Sequence, residues 1–181
     1  MNWKLQPWLA AAALAASALF RYPGRVYALD GMMLFFPLLD PCWRPPGVPL
    51  VRRHVIGWSL VLLSVTALLI WRPGYLSYSA AMLLTAALPE EWFFRAYFMT
   101  RAGQGWQANI AASLLFSLMH GITWGWIAAV LVFIPSLFYG WLYQRTRDLP
   151  LLILAHALSN IVFMMFLAGF IERWLPVTVV R

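Results

Sequence analysis

Charge is what this chain has least of. Only 10% of its 181 residues are charged, and just six residues are acidic. A soluble domain carries about 25% charged residues, so this chain cannot present a water-facing surface throughout. With 63% hydrophobic residues and a mean hydropathy of +0.74, it reads as an integral membrane protein. Cysteine is nearly absent too. Cys42 is the only one, which excludes an intramolecular disulfide and any cysteine-built metal site. A soluble basic face is also missing, and nucleic-acid binding would need one. The net charge of +7, from 13 Lys and Arg, therefore reads as topogenic arginines in contact with anionic lipid of the bilayer. No internal repeat is evident, which argues against a carrier built from repeated halves.

What the chain has in abundance is apolar length and aromatic rings. Eleven Trp and seven Tyr suit interfacial belts, where amphipathic rings sit at headgroup level. Spanning about 30 Å of hydrocarbon takes about 20 apolar residues. Candidate segments are 5–20, 54–71, 76–101, 106–121, 123–144 and 149–171. The stretch 26–40 is apolar but short, and Asp30, Gly31, Pro37 and Asp40 interrupt it; it reads as re-entrant, interfacial or a poor span. Lys4 and the run Trp8–Phe20 resemble a signal peptide, yet the hydrophobic segments that follow favour an uncleaved first helix. The expectation is an all-α polytopic transmembrane helix bundle of six to seven membrane helices. Residues 1–53 form a front part, with a Pro-rich loop at 41–53, and residues 54–181 form a denser bundle.

Arginine placement orients the bundle. With one crossing per helix, Arg44, Arg52, Arg53, Arg101, Arg145 and Arg147 fall on one side, which the positive-inside rule makes cytoplasmic. Arg72, Arg173 and Arg181 fall opposite. His54, beside Arg52 and Arg53 at a helix start, reads as interfacial. Asp30 and Asp40 read as loop or turn residues.

Against this apolar background, two adjacent acids stand out. Glu90 and Glu91 lie at membrane depth in Leu-Pro-Glu-Glu-Trp-Phe-Phe-Arg. A charge in hydrocarbon costs at least about 2.5–3.5 kcal/mol, so such residues face a protein interior or a wet cavity. Glu91 and Arg95 are i and i+4 and share a helix face. Glu90 points about 100° away and is left free to act on a water. Pro89, which lacks an N–H, marks a kink or the start of the segment. Phe116 and His120 form a second set, with Phe116 shaping the cavity beside the imidazole. His156 and Asn160, again i and i+4, form a third. A carboxylate beside water in a low-dielectric cavity can act as general base near neutral pH. A histidine can hold that water or protonate the leaving amine, and His or Asn N–H groups can stabilise an oxyanion. These parts suffice to hydrolyse a peptide bond without a covalent intermediate. Taken singly, each part has a plain structural use: a buried ion pair, a satisfied interior histidine, an interhelical amide. Three such sets on three helices favour a site.

The order Glu90-Glu91-x-x-x-Arg95, Phe116-x-x-x-His120, His156-x-x-x-Asn160 resembles the CAAX-protease and bacteriocin-processing family, over about residues 76–165. The resemblance implies a glutamic-type intramembrane endopeptidase. In it Glu90 activates water with help from His120. Glu91 and Arg95 orient the site and bind substrate, and His156 with Asn160 forms the oxyanion pocket. It implies no cofactor, with zinc on Glu90, His120 and His156 as the alternative. The metal-free form is preferred because no carboxylate partner for either histidine is obvious in the sequence. The chain is short for the large CAAX enzymes. Its composition looks bacterial, so a membrane-anchored protein or a peptide carrying a C-terminal sorting tag is the expected substrate, in the inner membrane. The competing reading is a non-proteolytic immunity or scaffold protein, or a small proton-coupled carrier. Other intramembrane protease types fit poorly: there is no Gly-x-Ser-x-Gly, no aspartate pair at bundle depth, and Cys42 sits in the Pro-rich loop without a neighbouring histidine.

Overall fold

The computed structural model describes residues 6–47, 54–103, 105–169 and 171. Lys4, Arg52, Arg53, Arg173 and Arg181, and the second half of the Pro-rich loop, lie outside them. The described residues form seven helices and no strand. These are α1 (Gln6–Leu19), α2 (Arg25–Phe35), α3 (Val55–Trp71), α4 (Pro73–Ala102), α5 (Gly105–Trp124), α6 (Trp126–Thr146) and α7 (Leu149–Leu167).

The breaks follow local chemistry. Gly125, at φ 99, separates α5 from α6 in a conformation that favours glycine. The boundary thus falls a few residues later than the apolar runs suggest. Helix α7 starts on Asp148, whose Oδ1 accepts the Leu151 N–H at 3.0 Å. The same carboxylate accepts the Trp58 indole N–H at 2.8 Å, which ties α3 to the start of α7. Pro89 neither starts nor breaks α4. The helix runs through it, with the missing donor absorbed by wide turns. Leu83–Ala87 and Trp92–Met99 are π-helical, on either side of the short α stretch Leu88–Glu91. Such wide turns are rare, and they recur at functional sites.

Helix α4 is the axis of the molecule. Every residue from Phe93 to Met99 is buried, as expected of a helix packed on all sides. Helix α3, by contrast, buries none of its residues and lies at the periphery. Helices α5 and α6 form the tightest pair. A Cβ at Gly140 would collide with the Asn109 amide oxygen, and the Asn109 amide donates to Leu137 O at 2.9 Å. The front part packs into the same core: Leu14 and Ala18 of α1 are fully buried. The Trp43 indole donates to Ala96 O at 2.9 Å, and the Trp92 indole donates to Leu34 O at 3.2 Å.

By length and hydropathy, α6 and α7 are each able to cross a membrane among the described residues, and α3 with α4, bent by 115° at their junction, counts as a third if the pair is one broken span rather than a re-entrant loop. The six to seven spans expected from sequence exceed what this criterion identifies. Helix α1, an apolar helix of 14 residues, is too short for it. So is the stretch 26–40: α2 has 11 residues, about 16 Å at 1.5 Å per residue, or half the hydrocarbon thickness. A 3₁₀ turn, Phe36–Leu39, extends it. Asp40 behaves as a turn residue, accepting the Cys42 N–H at 2.9 Å, and also pairs with Arg101 at 2.8 Å. Asp30 does not behave as a loop or turn residue: it lies within α2. One end of the bundle gathers this Asp40–Arg101 pair. There, too, His54 meets Thr146 O at 3.1 Å and the Gln144 amide donates to Gly105 O at 2.6 Å.

Candidate active site

The three polar sets converge. Glu90 Oε1 lies 3.9 Å from His120 Nε2, and Glu90 Oε2 lies 3.6 Å from His156 Nε2. Helices α4, α5 and α7 thus each contribute one group to a single point. Counting about 1.5 Å per residue, Glu90 lies roughly 16 Å from Arg101 and His156 roughly 12 Å from Asp148. That is mid-depth for a helix bundle of this size.

Each imidazole is held from behind. His120 Nδ1 lies 3.0 Å from Phe116 O, and His156 Nδ1 lies 2.7 Å from Glu91 Oε1. An ionised carboxylate and a carbonyl only accept, so in the neutral rings the proton sits on Nδ1 and Nε2 presents its lone pair to Glu90. Glu90 and the two Nε2 atoms are therefore three facing acceptors, suited to receive the protons of a water. This alters the expectation for His156, which becomes an oxyanion donor only when doubly protonated. It also corrects a second expectation, because Glu91 is a carboxylate partner for His156 that the sequence did not reveal. The two residues are 65 apart in sequence.

Glu91 and Arg95 are fully enclosed, at 0% and 1% exposure, with Arg95 Nε 3.3 Å from Glu91 Oε2. Arg95 Nη2 donates to Ser136 Oγ at 2.8 Å and to Ser136 O at 3.2 Å. Its guanidinium lies 4.8 Å from the centre of the Phe116 ring, a cation–π contact. Phe116 in turn packs 4.3 Å from the His120 ring. Arg95 Nη1 has no hydrogen-bond partner among the described residues. Asn160, half-buried one turn beyond His156, makes no side-chain hydrogen bond to the other site residues described.

A match to a known family decides what kind of protein carries this geometry. The family described as Type II CAAX prenyl endopeptidase Rce1-like matches residues 71–162. The chain belongs to this family. It is therefore an integral membrane protein of a protease family, and all seven site residues read from the sequence lie inside the matched segment. No curated protein and no solved structure matches the chain.

Three further residues of this CAAX-type family member escaped the sequence reading. Tyr139 stacks on His156 at 5.1 Å and donates its hydroxyl hydrogen bond to Ser159. Ser136, fully buried, caps Arg95. Both sit in α6, which reads as plain apolar sequence. Their signal was faint: two polar groups at i, i+3 beside Gly140. The third is Asp30. It lines a cavity next to Glu90 and His120, with Val26, Leu29 and Met119 as apolar wall.

The donor set at the centre, one carboxylate and two imidazoles backed by Glu91 and Phe116 O, has the chemistry that zinc uses. Among the described residues, however, no group of three or more His, Cys, Asp or Glu is disposed to hold a metal ion. No step below is routed through one.

Proposed function

We propose that this protein is a glutamic-type intramembrane endopeptidase. The observation that carries the reading is Glu90 set between two imidazole Nε2 atoms, at 3.6 and 3.9 Å, in a chain of the CAAX endopeptidase family. Glu90 takes a proton from a water held against His120 and His156. The hydroxide adds to the scissile carbonyl, and the negative charge moves to its oxygen. Asn160 is the donor for that oxyanion, and His156 joins it when doubly protonated. The proton on Glu90 passes to the amide nitrogen, the C–N bond breaks, and a carboxylic acid and an amine leave. Glu91 holds His156 in the tautomer that faces the water, as an orienting acid does in other histidine-based sites.

The substrate on this reading is a membrane-anchored protein or a peptide with an apolar C-terminal sorting tag. The bundle sits in a bacterial inner membrane with six or seven helices in the bilayer, its Arg101 end cytoplasmic. Cleavage of tag peptides by the protein in liposomes tests the reading. Wild type cuts, whereas Glu90→Gln and His120→Ala accumulate in the membrane without cutting. If Glu90→Gln cuts normally, the glutamic mechanism fails. If no tag is cut while the variant keeps the wild-type cellular phenotype, the protein is an immunity or scaffold factor. The alternative is a zinc-dependent form of the same enzyme with Glu90, His120 and His156 as ligands, although among the described residues these groups are not disposed to hold the ion. Loss of cleavage on chelation, restored by added zinc, is its signature.

A further inference from the structure

We propose that Asp30 is the specificity residue of this site, receiving a lysine or arginine side chain of the substrate next to the bond being cut. The inference rests on the peptidase reading above and names the substrate chemistry it requires.

Asp30 is 9% exposed, and its Oδ2 has no hydrogen-bond partner among the described residues. It lies on α2, outside the segment that matches the family, yet it lines the same cavity as Glu90 and His120. A buried carboxylate without a partner is costly, and proteins keep such groups where a charge is to be met. The described arginines nearby are committed elsewhere. Arg25, on the same helix, donates to Ala18 O at 3.1 Å and Thr123 O at 3.2 Å. Arg95 is held by Glu91 and Ser136. Two carboxylates therefore share one cavity, and no described arginine is bonded to either.

The rest of the lining explains why the guest is a long basic side chain rather than a small cation. Val26, Leu29, Met33 and Met119 give an apolar wall for an aliphatic stem, and Asp30 gives an end for the charged head. Lysine and arginine are built this way. A substrate backbone N–H would also satisfy Oδ2, but it would not distinguish a basic residue from a neutral one of equal length.

The test measures kcat/KM in liposomes for a matched set of tag peptides. They carry lysine, norleucine or glutamate at each position flanking the scissile bond in turn. Wild type favours lysine over norleucine at one of these positions by about tenfold or more, the worth of a charge-assisted hydrogen bond. Asp30→Asn brings that ratio close to one, mainly through KM. Asp30→Glu keeps the preference, and Asp30→Lys turns it toward the glutamate peptide, which guards against simple loss of folding. A wild-type enzyme without charge preference, or a preference that survives Asp30→Asn, overturns the inference and leaves proteolysis standing. Photo-crosslinking of the same peptides to Glu90→Gln separates the two readings. Lysine-selective labelling that depends on Asp30, in a protein that never cuts, would keep the basic subsite and discard the peptidase.

Discussion

Two neighbouring carboxylates in α4 live in opposite surroundings. Glu91 faces α6 and α7, where Arg95, Ser136 and His156 engage it or its partner and water is shut out. Glu90 lies between His120 of α5 and His156 of α7, lines a cavity with Asp30 of α2, and is bonded to no described arginine. One side of the helix is sealed and neutralised; the other is open and short of positive charge. A single residue step, about 100° around the helix, thus separates a structural carboxylate from a chemical one. The sealed side can do its work only if it is complete, because a half-paired buried charge is worse than none. The open side works because it is incomplete.

Substitutions that confuse the two sides should show their difference, and the largest effect falls on the open one. Glu90→Gln should lower the cleavage rate by about 10²–10⁴-fold, the range for a lost general base, while the melting temperature in detergent stays near that of wild type. A large loss of stability instead would mean that Glu90 is structural like its neighbour. Next comes the sealed side. Arg95→Met should cost about 3–5 kcal/mol of stability by stranding Glu91, measured by unfolding in detergent. The double change Glu91→Leu with Arg95→Met should recover much of that stability without supporting cleavage, since His156 then loses its carboxylate. Recovery of activity in the double variant would show that Glu91 does not orient His156. A smaller cost, about 1–3 kcal/mol, is expected for Ser136→Ala, which leaves Arg95 Nη2 with only the carbonyl. Tyr139→Phe should do least, about 1 kcal/mol for the lost hydroxyl contact to Ser159, because the ring still stacks on His156.

The sequence reading paired residues along one helix better than it paired residues between helices. Glu91 with Arg95, and Phe116 with His120, are pairs along one helix, and a spacing of four residues announces them. Glu91 with His156 and Arg95 with Ser136 are pairs between helices, and no periodicity reports which helices touch. Asp30 was misread for a related reason. Asp, Gly and Pro in a short apolar stretch look like punctuation, but packing of α2 against α4 holds the aspartate inside a helix. Pro89 was misjudged because the wide turns around it supply what a regular helix would lose.

By itself the chain determined that it would be helical and lipid-embedded, for with so few charges and long unbroken apolar runs its backbone is satisfied in lipid by helices. It also determined which residue types would supply the chemistry, since polar groups at helical spacing in apolar sequence have few other uses. Only the tertiary structure decided which nitrogen of each histidine faces Glu90, which glutamate is neutralised, and that an aspartate from the front part looks into the cavity. Tautomer, pairing and exposure depend on the distance between atoms on different helices, and linear order does not encode that distance.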